Sequence, residues 1–200
     1  MDKDIDIIKL HDAIKSQNQR AIGAIVLELV ASLSLTRKDQ SSSRISSTTA
    51  AHSIFDKDRQ SIDLICCIEG EFEHDRLYET QTVKLKMKDR SAGEIATRTY
   101  YCGVSGNTMH VESYLEVIPS FRRIGIGTAL LASDDVVREA IAKLLGEITP
   151  ITRVDAEIVD GTVGEDVGWT SRRLRQARGW RETRVGSDVF RKTTRLGKRG

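Results

Sequence analysis

The stretch Met109–Leu131, MHVESYLEVIPSFRRIGIGTALL, decides how the rest of the chain is read. Its first part, His110 to Val117, is β-prone and partly alternating, which predicts a strand. Pro119 closes that strand, because proline has no N–H to give to a sheet ladder. Arg122 to Gly127, RRIGIG, is a basic turn with glycines at 125 and 127. From Thr128 the apolar residues take helical spacing: Ala129, Leu130, Ala132, Val136, Val137, Ala140, Ile141, Leu144 and Leu145. A strand, a glycine turn and a helix start in succession make an anion site. The first amides of a helix have no intrahelical partner, and the helix dipole favours negative charge there. Glycines let backbone N–H groups approach a phosphate without a Cβ in the way, and Arg122 and Arg123 add positive charge.

Outward from this stretch, the chain reads as one domain. Two hundred residues, 39% hydrophobic and 30% charged, are enough for a core and typical of a globular protein. No apolar run is long enough to span a membrane. The start, MDKDIDIIKL, is acidic and does not read as a secretory signal. Cys66, Cys67 and Cys102 are odd in number and lack zinc spacing, which predicts reduced thiols, no metal site and a cytoplasmic protein. The net charge of +2 is uneven. Glu69 to Asp75 is acidic, while the end is basic from Arg172 onward, a face suited to an acidic protein, a nucleic acid or a phosphate.

Residues 1–60 read as an N-terminal helical region. Ile22, Ile25, Val26, Leu29 and Val30 follow helical spacing within 5–35. Ile5 to Leu10 fits either the helix start or a separate short strand. Residues 36–49, TRKDQSSSRISSTT, hold almost no core-forming side chain and predict a mobile loop. Residues 61–192 read as the sheet and binding core. Ile62 to Ile68, bounded by Gly70, is a buried strand with Cys66 and Cys67 as small core residues. Thr82 to Lys88 alternates, with Val83, Leu85 and Met87 on one side and Lys84, Lys86 and Lys88 on the other. Ile95 to Cys102 is the next strand, and Gly103 to Asn107 a turn. Pro150 breaks the helix, and Val154 to Val159 is a strand parallel to the central one through a β-α-β crossover. Thr170 to Arg178 predicts a basic helix ended by Gly179, followed by closing strands at 180–184 and 189–192 around Gly186-Ser187-Asp188. Residues 193–200 are a basic tail.

The P-loop pattern is absent, and the dinucleotide pattern GxGxxG fails at Leu130. What remains is V-x-P-x-x-R-x-x-G-x-G, carried by Val117, Pro119, Arg122, Gly125 and Gly127. This resembles the acyl-CoA-binding signature of the GNAT acyltransferase superfamily. The likeness covers about 109–192 and includes Arg178-Gly179-Trp180, similar to that family's helix ending in a glycine–aromatic pair. It is weaker over 62–107, and the early long helix departs from the family's order.

The resemblance implies an α/β fold of the GNAT kind: a mostly antiparallel central mixed sheet with one parallel strand pair, flanked by helices. It implies an N-acyltransferase using acetyl-CoA as co-substrate, with an amine acceptor, a protein or peptide favoured. The pantetheine arm would lie along Val117 and Ile118 like an added strand, in a splay between the central strand and Val154 to Val159. The pyrophosphate would rest on Arg122, Arg123, Ile124, Gly125, Ile126, Gly127 and Thr128.

Direct acyl transfer needs a deprotonated amine and a stabilised leaving thiolate. Glu112 and Glu116, four apart on the central strand, share a face and are the candidate general bases, each served by partial burial. His110 is a third. Counting back from Gly179, the family's frequent tyrosine falls at Arg175 and its usual asparagine at Gly168, so the general acid is not assigned; Tyr114 is one candidate. Two other readings use the same residues. The arginines of 171–178 suit a nucleic-acid-modifying transferase. The missing tyrosine and asparagine suit a module that binds CoA or a partner without turnover.

Overall fold

The computed structural model describes residues 2–36, 44–74, 79–146, 150–159, 176, 179–183 and 189–196. Helix α1, Asp2–Thr36, includes the Ile5 to Leu10 segment as its first turns. Its spaced aliphatics bury one stripe: Ile14, Ile22, Ile25, Val26, Leu29 and Leu33 are all in the core. Each such side chain contributes roughly 1.5–3 kcal/mol by leaving water, which is what holds a helix this long to the sheet.

The described strands form one sheet: β1 (Arg44–Thr48), β2 (His52–Phe55), β3 (Ser61–His74), β4 (Glu79–Asp89), β5 (Gly93–Ser105), β6 (Thr108–Val117), β7 (Arg153–Val159), β8 (Arg181–Glu182) and β9 (Val189–Arg195). Their spatial order is β1-β3-β4-β5-β6-β7-β9-β8, with β2 also on β3. From β3 to β6 the chain is an antiparallel meander. Helix α2, Ile126–Leu145, carries it over to β7, which runs parallel to β6. Strand β9 inserts antiparallel between β7 and the short β8. The sheet is therefore mixed, with one parallel pair, as the crossover reading expects.

Several boundaries differ from expectation. Residues 44–48 of the expected mobile loop are strand β1, and 37–43 lie outside the described residues. The sequence RISST has little to bury, but β3 offers a long edge, and backbone pairing from Arg44↔Glu71 to Thr48↔Cys67 makes the strand. Gly70 does not bound β3, which runs on to His74 with Gly70 paired between Ile45 and Val83. The turn after β5 is only Gly106-Asn107, with Gly106 at φ +59°. Helix α2 starts two residues before Thr128. The expected loop at 161–168 lies outside the described residues, as do the basic helix of 170–178, save Gln176, and the 186–188 turn.

The period of two sorts the sheet into two faces. Val83, Leu85, Met87, Tyr100, Cys102 and Val111 point to one face, buried beneath α1 and α2. Lys84, Tyr101, His110, Glu112, Tyr114 and Glu116 point to the other, which is open to solvent among the described residues.

Candidate functional site

The β6–α2 connection is built by three devices. Pro119–Phe121 makes a single 3-10 turn, with the Phe121 N–H on the Ile118 carbonyl at 3.0 Å. Arg123 then takes φ +68°, unusual for a side-chain-bearing residue, and Gly125 takes φ +98° as the residue preceding α2. The first helical bond closes from the Ala129 N–H to the Gly125 carbonyl. Among the described residues, the backbone N–H groups of Arg123 to Thr128 have no hydrogen-bond acceptor within the chain, and no side chain caps the helix. A run of unpartnered amides at a helix start is a place for an anion.

The glycines serve a different purpose from the one expected. They do not lie bare beneath a ligand. A Cβ on Gly125 would stand 2.8 Å from the Lys15 carbonyl oxygen, so this glycine lets α1 press against the loop. Gly127 faces β6, with Leu115 and Val117 side-chain atoms at 3.6 and 3.7 Å from where its Cβ would be. Asn18 of α1 completes the clamp. Its Nδ2 donates to the Ile124 carbonyl at 2.8 Å and to the Phe55 carbonyl at 2.7 Å, and its Oδ1 accepts from the Phe55 N–H at 2.9 Å. This buried asparagine escaped the sequence reading; its only signal was a polar residue on the apolar stripe of α1.

Beside the loop, β6 outruns its parallel neighbour. Among the described residues, pairing with β7 covers Thr108↔Arg153 to Ser113↔Ile158 and stops there, while pairing with β5 continues to Val117. The Ile118 N–H bonds the Ile95 carbonyl of β5. Because directions alternate along a strand, the polar groups of Leu115 and Val117 face away from β5, toward the side β7 no longer covers. Arg122 fills part of that vacancy: its Nε donates to the Val117 carbonyl at 2.8 Å.

Glu112 and Glu116 do share a face, but both are exposed, so the partial burial expected of a base is not found. The alternation of β6 sends them to the open side of the sheet. Tyr114 lies between them and donates its phenol proton to Glu112 Oε1. That bond is the main reason the Tyr114 phenol holds its proton above the ordinary range. Tyr101 packs edge-on to Tyr114, ring centroids 5.7 Å apart. A concavity of about 590 Å³ on the same face is lined by Tyr101, His110, Glu112, Asp155, Glu157 and Arg191 among others. Two carboxylates there are already engaged, Glu157 by Arg191 Nε at 2.7 Å and Asp155 by Arg153 Nε at 2.9 Å. The neighbouring Lys192 is tied to Asp135 of α2 at 2.7 Å. Among the described residues the basic C-terminal stretch is thus partly neutralised by its own neighbours, and none form a group of three or more His, Cys, Asp or Glu side chains placed to hold a metal.

Behind the parallel pair lies a buried polar network that the sequence reading also missed. Arg98 of β5 is fully buried and grips Asp134 of α2 with two bonds, Nε to Oδ1 at 2.9 Å and Nη2 to Oδ2 at 2.7 Å. Tyr100 donates to the same carboxylate at 2.8 Å. Arg98 Nη2 also donates to Ser113 Oγ at 3.0 Å, and that hydroxyl donates to the Glu157 carbonyl of β7 at 3.1 Å. Burial opposes the charge on Arg98, but the Asp134 carboxylate outweighs it and leaves Arg98 above its ordinary range. Its traces in the sequence were Arg98 on the inward parity of β5 and Asp134 on the apolar face of α2.

Compared with known proteins, the chain matches no family model and no curated protein sequence.

Proposed function

We propose that this protein is an acyl-CoA-dependent N-acyltransferase that moves an acetyl group from acetyl-CoA to an amine by direct attack. The observation that carries the reading is a coincidence of two vacancies. Among the described residues, the edge of β6 at Leu115 and Val117 has no neighbouring strand, carries only the Arg122 bond at the Val117 carbonyl, and ends beside the unpartnered amides of Arg123 to Thr128. An extended amide-bearing arm would add to the edge as a strand does, and its diphosphate would rest on the amides. The V-x-P-x-x-R-x-x-G-x-G run that links the two vacancies resembles the GNAT signature, which supports the same reading.

In this reading Val117, Ile118 and the loop from Arg122 to Thr128 bind the donor. Arg122 leaves the Val117 carbonyl and turns to phosphate, where a guanidinium makes the stronger charge-assisted bonds. The amine approaches from the open face. Glu116, which has no partner among the described residues, takes its proton. The nitrogen attacks the thioester carbon, the C–S bond breaks, and the Tyr114–Glu112 pair stands by to return a proton to the thiolate. A protein or peptide amine remains the preferred acceptor.

The test is titration calorimetry with acetyl-CoA, paired with amide hydrogen exchange. Binding should protect the Leu115 and Val117 amides and those of Arg123 to Thr128. No heat of binding, or protection confined to other strands, would end the reading.

A further inference from the structure

We infer that Arg98, acting through Ser113, fixes the point at which β6 and β7 part, and so sets the mouth of the cleft that takes the acyl-carrying arm. The inference rests on the acyltransferase reading for the cleft's occupant, but its structural half stands on geometry alone. Ser113↔Ile158 is the last parallel pair among the described residues. At that pair the Ser113 hydroxyl reaches across to the Glu157 carbonyl, adding a side-chain tie between the strands at the end of the ladder. A serine hydroxyl can rotate among several partners. Here Arg98 Nη2 donates to its oxygen, which leaves the hydroxyl proton to point at Glu157.

Arg98 in turn is held through its Nε and Nη2. Its guanidinium is held by both oxygens of Asp134, and Asp134 also takes the Tyr100 phenol. Asp134 sits on α2, the helix whose first turn carries the candidate phosphate amides. One buried network therefore joins the last rung of the ladder to the body of the anion-facing helix. Its side chains lie on the covered face of the sheet, away from Glu112 and Glu116, and touch no reacting atom. Arg98 and Ser113 are positioning residues: they hold the arm's edge and the phosphate's amides at a fixed separation. A coenzyme that must satisfy both at once depends on that separation; a ligand that reaches only the amides does not.

The test compares two ligands on the full chain: acetyl-CoA, and 3′-phospho-ADP, which has the phosphates but no arm. Ser113→Ala removes the tie at little cost to packing. Arg98→Lys keeps the charge but loses the fork, and Ser113→Thr restores the hydroxyl. In Ser113→Ala, amide exchange at residues 111–113 and at Val159 should quicken roughly tenfold in the ligand-free protein. Acetyl-CoA affinity should fall about tenfold, 3′-phospho-ADP affinity should stay within about twofold, and Ser113→Thr should recover most of the loss. Arg98→Lys should give the same split between ligands. The inference is wrong if folded Ser113→Ala exchanges and binds like wild type. It is also wrong if both ligands weaken equally, because that marks a general loss of fold. If wild-type protein binds 3′-phospho-ADP but not acetyl-CoA, or neither, the acyltransferase reading itself falls, and with it the occupant assigned to the cleft.

Discussion

Gly125 meets two demands that only glycine meets together: a φ of +98° and a backbone carbonyl 2.8 Å from where a Cβ would stand. Gly125→Ala should therefore cost about 1–3 kcal/mol of stability in urea unfolding, whether or not a coenzyme is present. Its neighbour discriminates better. Gly127 has only ordinary contacts around its missing Cβ, and an alanine there also favours the helix, so Gly127→Ala should unfold at the wild-type midpoint or slightly above. On the acyltransferase reading, Gly127→Asp should weaken acetyl-CoA binding in calorimetry, since it adds negative charge at the helix start proposed to take the phosphates; its side chain would point at Leu115 and Val117, so its urea midpoint should fall as well. The thiols give a second residue-scale expectation. Burial pushes Cys66 and Cys102 up to about 12 from an ordinary 9.0. The folded state keeps these protons where the unfolded chain sheds them. Their contribution is fully present below pH 9 and is lost as pH rises toward 12, so the urea midpoint should fall between pH 9 and 11. At pH 8 neither thiol should react with an alkylating reagent until the protein unfolds.

Between elements, the asparagine clamp is the contact with most at stake. Asn18→Leu leaves the Phe55 N–H and the carbonyls of Phe55 and Ile124 without their partner. The buried Ile124 carbonyl so orphaned costs roughly 1–3 kcal/mol and the half-buried Phe55 groups add less, so equilibrium unfolding should show a loss in that range or beyond it. The same scale explains what could be read in advance. Strand β6, its loop and α2 were legible because each carries its own periodicity and the proline and glycines mark the joints. Strands β1 and β2 were not, because RISST and HSIF are too short and too mixed to carry a pattern; they exist through the edges of β3. Alternation placed Glu112 and Glu116 together but could not tell which face α1 and α2 would cover, so their exposure was not visible. Arg98 and Asp134 stand far apart in sequence, and only the packing of α2 on β5 brings them into one ion pair.

At the scale of the molecule, α1 and α2 crowd one face of the sheet and, among the described residues, the opposite face is left wet around β5, β6 and β7. The covered face depends on α1, which supplies Ile22, Ile25, Val26, Leu29 and Leu33 to the shared core. Deleting residues 1–36 should leave chain that is insoluble, or that keeps far-ultraviolet circular dichroism without a cooperative melt, because the inner face of β3 and α2 would lose its cover. The contact between the Lys15 carbonyl and Gly125 carries this dependence to the bend ahead of α2. That bend is braced from outside, like a keystone resting on a beam that another part of the chain supplies. A fusion partner that tugs on the amino-terminal helix would thus be felt some 110 residues downstream, as a slackened bend, before any strand let go.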